Sequence, residues 1–159
     1  MNSEQAVVNE AQCRKIALII KALEPNEDFY KREYLTIRIP DELKFRMHFF
    51  AVAICHHTYT LHHPVLELWG WDFIEYVFIR LARENAQLLD PVYLSKATKQ
   101  KVADELKKQF SHDDQRKHCT LDRLDERAAL MIDAAGKLLK YYDGSVKKLF
   151  DRSGGYLRR

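Results

Sequence analysis

The sequence predicts an all-α fold, five to six helices in one compact orthogonal domain (residues 1–159) with no significant sheet. Three observations carry this. Apolar residues recur at helical spacing in long segments bounded by capping residues. Only 5 Gly and 4 Pro occur in 159 residues, which leaves little chain for flexible linkers. The one alternating run, Leu35-Thr36-Ile37-Arg38-Ile39, has no second strand to pair with and reads as extended chain.

The first segment runs from Ser3, a candidate N-cap, to Leu23, with Val8, Ile16, Ile19, Ile20 and Leu23 on one face; Glu24-Pro25-Asn26 stops it. Pro40 suits the first turn of a second helix, and Asp41 and Glu42 oppose its dipole favourably. That helix carries Leu43, Met47, Phe50, Ala51 and Ile54. It turns apolar on nearly every face from Phe49 to Cys55, which marks it as the central buried helix. A polar loop follows and closes at Pro64. The third helix, Gly70 to about Ala86, presents Phe73, Ile74, Val77, Phe78 and Leu81, and Asp90-Pro91 reads as a turn. Ser95 or Thr98 to Phe110 forms a lysine-rich helix with Val102, Leu106 and Phe110 on its apolar side. Thr120 is placed to cap a long helix burying Leu121, Leu124, Ala128, Met131, Ile132, Ala135, Leu138 and Leu139, which Asp143-Gly144 stops. Ser145 can cap a short last helix through Phe150.

Composition narrows the function classes. The three cysteines, Cys13, Cys55 and Cys119, are odd in number and lack CxxC spacing, so a reducing, cytoplasmic setting without structural disulfides is expected. MNSEQAVVNEAQ has neither the basic start nor the apolar run of a signal peptide. The stretches Phe49–Cys55 and Phe73–Leu81 fall short of the roughly 20 residues that span a bilayer, so no membrane partner is expected. Charge is uneven: residues 144–159 hold 5 Lys/Arg against 1 Asp/Glu. Lys147, Lys148, Arg152, Arg158 and Arg159 could therefore meet phosphates of a nucleic acid, or simply solvate a frayed terminus.

No phosphate-binding glycine loop, GxSxG elbow, HExxH or EF-hand loop occurs, and no cofactor is implied. The densest chemistry is Cys55-His56-His57-Thr58-Tyr59-Thr60-Leu61-His62-His63. Adjacent histidines on a helix diverge by about 100°, which disfavours a metal site. His56 or His57 can instead favour the negative end of the helix dipole or face a pocket. Trp71, Asp72 and Glu75 combine an aromatic ring with carboxylates at i and i+3, a set able to stack on a heterocyclic base and accept from its ring N–H groups. The same residues could be core and helix cap. Arg123 and Arg127, interleaved with Asp122, Asp125 and Glu126, read as a salt-bridged solvent face.

Several stretches resemble a family. Gly70-Trp71, Ile79-Arg80-Leu81-Ala82 and Leu89-Asp90-Pro91-Val92-Tyr93-Leu94 are similar to the queuosine salvage proteins, all-helical nucleotide N-glycosidases. So are Leu124-Asp125-Glu126-Arg127, Ala135-Gly136-Lys137-Leu138-Leu139 and Tyr142-Asp143-Gly144-Ser145-Val146. Phe49 to His57 takes the place of that family's buried helix, departing from its Asn-Phe-Cys-Phe-Trp type of sequence. The same helices resemble 8-oxoguanine DNA glycosylase-like N-glycosylases. The likeness spans about residues 39–157 and corresponds to the N-terminal half of such proteins.

The resemblance implies recognition of a modified purine-like base, deazaguanine/queuine or 8-oxoguanine, as nucleoside or nucleotide. The catalytic aspartate would lie in a later part of the chain, so no catalytic residue is assigned. His56, His57 and Tyr59, with Trp71, Asp72 and Glu75, are the expected base-binding set. The alternatives are a non-catalytic helical module binding nucleic acid, or a subunit whose apolar helix faces are covered by a partner protein.

Overall fold

A computed structural model describes residues 9–23, 36–113 and 118–154. Its contacts divide the chain into residues 1–33 and 34–159. In the first unit, α1 spans Glu10–Ala22. The expected cap at Ser3 lies outside the described residues; Asn9 is the N-cap, its side chain accepting the Gln12 N–H at 3.1 Å. None of the residues of α1 is buried, and Ile16, Ile19, Ile20 and Leu23 are exposed.

The second unit is helical, as its periodicity predicts. It contains α2 (Asp41–Ala53), α3 (Gly70–Arg83), α4 (Pro91–Lys96), α5 (Lys99–Gln109), α6 (Leu124–Tyr142) and α7 (Val146–Arg152), with a 3-10 turn at Gln87–Leu89. The long helix α6 is the axis, with α4 and α5 packed along it and α2 and α7 also against it. Its buried Leu138, Ala135, Met131 and Ala128 recur at alternating three- and four-residue spacing, and the two alanines let neighbouring backbones approach. α2 packs on α3, burying Met47, Phe50, Ala51 and Ile54 against Phe73, Ile74, Val77 and Phe78. Each of the large side chains among them contributes about 1.5–3 kcal/mol.

Local caps act where the sequence places them. Thr98 accepts the Lys101 N–H and Ser145 accepts the Lys148 N–H. Gly144, at φ +74, ends α6 by donating to the Leu138 carbonyl; a side chain there would press on Leu139 at 3.1 Å and strain the left-handed backbone.

Four expectations are corrected. Asp90-Pro91 is a helix start rather than a plain turn: Asp90 caps Val92 N–H at 2.9 Å and Pro91 occupies the first turn of α4. The polar loop expected to close at Pro64 holds β1 (His62–His63), which pairs antiparallel with β2 (Leu68–Trp69) beyond it in a small hairpin. Two pairs are too few to show as alternation. Thr120 does not cap α6, which starts at Leu124 behind Arg123 in a left-handed conformation. Thr120 binds the hairpin instead, accepting from His62 N–H and donating to His62 O. Finally, α2 is not buried all round, since Phe45 and Val52 are exposed. The extended reading of residues 35–39 begins outside the described residues; within the remainder, Ile37 is buried.

Candidate functional site

The uncovered side of α2 is one wall of an open cavity. Phe45, His48, Phe49 and Val52 lie three or four residues apart on one helix face, and Ala53 continues it. Ala134 of α6 and Val146, Lys147, Phe150 and Asp151 of α7 complete an open groove of about 760 Å³. Its lining is almost wholly apolar. Phe150 is 65% exposed, so α7 presents its ring to the groove rather than to the core.

α7 is held in place by one carboxylate. Glu42, in the first turn of α2, accepts from Ser145 Oγ, Val146 N–H and Lys147 N–H, while Arg46 donates to it from the next turn. Arg46 also donates to the Gly144 carbonyl at 3.0 Å.

His48 is the titratable group of the groove wall contributed by α2. Its ring and that of Trp71 meet in a T-shaped arrangement, with centroids 5.9 Å apart and planes at 74°. Glu75, buried one turn further along α3, lies close enough to oppose with its charge the burial that lowers the His48 pKa. A buried carboxylate, an indole and an imidazole thus meet beside an aromatic groove. Such a set can hold a flat ring and read one polar edge.

The expected base-binding residues fall into two groups. Trp71 and Glu75 belong with His48, and Asp72, exposed in the first turn of α3, stands next to Trp71 in sequence. His56, His57 and Tyr59 follow α2 and lie in the loop organised by Arg127. Tyr59 is 80% exposed. His57 adopts a left-handed φ of 48°. His56 Nε2 stands 3.6 Å from Glu126 Oε1. Burial and then the Arg127 charge hold His56 below its ordinary pKa, against the opposing charge of Glu126.

Arg127 corrects the solvent-face reading: its side chain is wholly buried. It donates to the carbonyl of Ile54, which ends α2, to that of His57 at 3.3 Å, and to Asp122 through both backbone and carboxylate. This hydrogen bond first, and the guanidinium charge after it, depress the Asp122 pKa. Arg123 stays exposed and pairs with Glu126 at 3.5 Å. Arg127 therefore satisfies the free carbonyls of a helix end, a role for which only the arriving end of α2 creates the need.

The basic residues near the C-terminus are engaged locally. Lys147 pairs with Asp151 at 2.7 Å, Lys148 with Asp143 at 2.8 Å, and Arg152 donates to Tyr141 O at 2.6 Å. Arg158 and Arg159 lie outside the described residues. Among the described residues, no three His, Cys, Asp or Glu side chains are arranged to hold a metal ion. Cys13, Cys55 and Cys119 are free thiols, and no described helix is long and apolar enough to cross a membrane.

No family model matches the chain, and no curated protein or solved structure does either.

His48, Phe45, Phe49 and Phe150 were absent from the expected site. The signal available was the spacing of residues 45, 48, 49 and 52, which was hidden by a second apolar face on the same helix.

Proposed function

We propose that this chain is a recognition domain related to helical N-glycosidases, holding a flat, modified purine-like base of the deazaguanine or 8-oxoguanine kind in the α2–α6–α7 groove. The observation that carries this reading is the juxtaposition of Phe45, Phe49 and Phe150 with His48, itself backed by Trp71 and Glu75. Phenyl faces stack on a heterocycle, and an imidazole can donate to or accept from its polar edge. Cleavage would further require a carboxylate beneath the sugar as positive charge develops there. No carboxylate of this chain is assigned that role, so the proposal concerns binding.

One observation favours a second reading. The groove offers few hydrogen-bonding groups, whereas the edges of a purine carry several, and an apolar partner helix would leave none unpaired. Calorimetric titration with queuine, 8-oxoguanine and their nucleosides separates the two. Saturable binding of one base, lost in Phe49→Ala and His48→Ala, supports base recognition. Absence of heat with every base overturns it and leaves the protein-partner reading.

A further inference from the structure

Away from the groove, imidazoles gather where the hairpin meets the segment after α5. The ring of His63 lies 6.1 Å from that of His112, which stacks on His118 at 5.3 Å. His118 is bound in turn to Asp113 at 3.2 Å. On the other side His63 packs edge-on against Phe73 at 5.2 Å and against Tyr76 at 6.5 Å, both from α3.

The hydrogen bonding of His63 defines its protonation. Its Nδ1 accepts the Leu66 N–H at 3.2 Å, closing the turn between the two strands. Only the neutral tautomer, with its proton on Nε2, can accept there. The Nδ1 of His112 is buried without a hydrogen-bond partner among the described residues. The hairpin is joined to Thr120 by the Thr120–His62 pair of hydrogen bonds, and Ser111 is bridged to Cys119.

We propose that His63 is an acid-sensitive latch, whose protonation opens the Leu66 turn and loosens the hairpin from residues 111–113 and 118–120. A proton on Nδ1 turns the acceptor into a donor facing another donor. It also places a cation among the groups that face it, Arg80 and Tyr76 from α3 and His112 from beyond α5, with Asp113 next to it, bound to His118. Burial first, then His112 and Arg80, lower the His63 pKa below 6.5, against its own backbone hydrogen bond. The closed state is therefore fully favoured above that pH and loses ground as pH falls through the lowered value. Opening exposes Phe73, which otherwise packs on Phe110 at 5.3 Å.

The test is hydrogen exchange and NMR titration of the full chain from about pH 8 to about pH 5. The protection of the Leu66 amide should fall roughly tenfold per unit by which His63 is depressed, with the midpoint of the His63 ring. His63→Asn supplies a non-titrating acceptor at the δ position, and should keep the amide protected at both ends of the range. His112→Ala should bring the His63 midpoint nearer 6.5. A Leu66 amide indifferent to pH in the parent protein, or an unchanged response in His63→Asn, overturns the proposal.

Discussion

Ser145 donates its hydroxyl to the carboxylate of Glu42 at 2.9 Å, joining residues 103 positions apart in the chain. The same hydroxyl accepts the Lys148 N–H, and the same carboxylate accepts the Val146 N–H at 2.9 Å. One side chain of α2 thereby serves as an external cap for α7, and α7 becomes a wall of the groove.

Removing that cap should loosen the wall. Glu42→Ala is expected to cost about 2–3 kcal/mol, since charge-assisted hydrogen bonds and helix caps are lost together. Glu42→Gln should cost less, because its amide oxygen still accepts. Urea unfolding measures both, and equal losses would show that a neutral acceptor recovers nothing and that the charge carries the cap.

Arg127→Met should destabilise the fold by about 3–5 kcal/mol, because the carbonyls of Ile54 and His57 and the Asp122 carboxylate lose their donor. Arg127→Lys keeps the charge but cannot reach three acceptors in one plane, so it should recover only part of the loss. Full recovery by lysine would reduce the site to simple charge pairing.

The groove wall can be altered without harming the core. Val52 and Phe150 are 49% and 65% exposed, so Val52→Glu and Phe150→Glu should change stability by no more than about 0.5 kcal/mol. Each should abolish binding of any groove ligand. A large loss of thermal stability in either variant would mean that these side chains serve the fold rather than a ligand.

The Arg127 centre also predicts pH dependence. His56 is held below its ordinary value and therefore favours the fold when neutral; that contribution is complete above pH 6.5 and is lost as pH falls through the lowered pKa. Asp122 behaves likewise from 3.8 downward, where protonation weakens its bond to Arg127. Glu126→Gln removes the opposing charge, so the His56 midpoint should move lower still in an NMR titration. An upward movement would place Glu126 elsewhere in solution.

Particular residues show how far the chain could be read before its structure was known. The α5 and α7 caps at Thr98 and Ser145 and the end of α6 at Asp143-Gly144 were legible, because each depends on neighbours within a few positions. Asp90-Pro91 was ambiguous, since the same pair begins a turn or a short helix. Trp71 and Glu75 were recognised as a possible site, but their meeting with His48 requires α2 and α3 to pack. The groove was not legible. A helix that is apolar on nearly every face states that it will be covered, without stating how many faces the rest of the chain has helices to cover.

What the sequence alone determined here is helical class and most helix ends, because spacing of three and four residues and side-chain caps act within a single turn. Tertiary structure decided the fate of the polar residues. Arg127 and Arg123 share one charged stretch, yet one is wholly buried and the other exposed, because the end of α2 brings bare carbonyls to only one of them. His63 likewise became a turn acceptor beside His112 only when the hairpin met the segment after α5. A buried polar group takes its role from the unsatisfied group that arrives beside it, and that arrival is a property of packing.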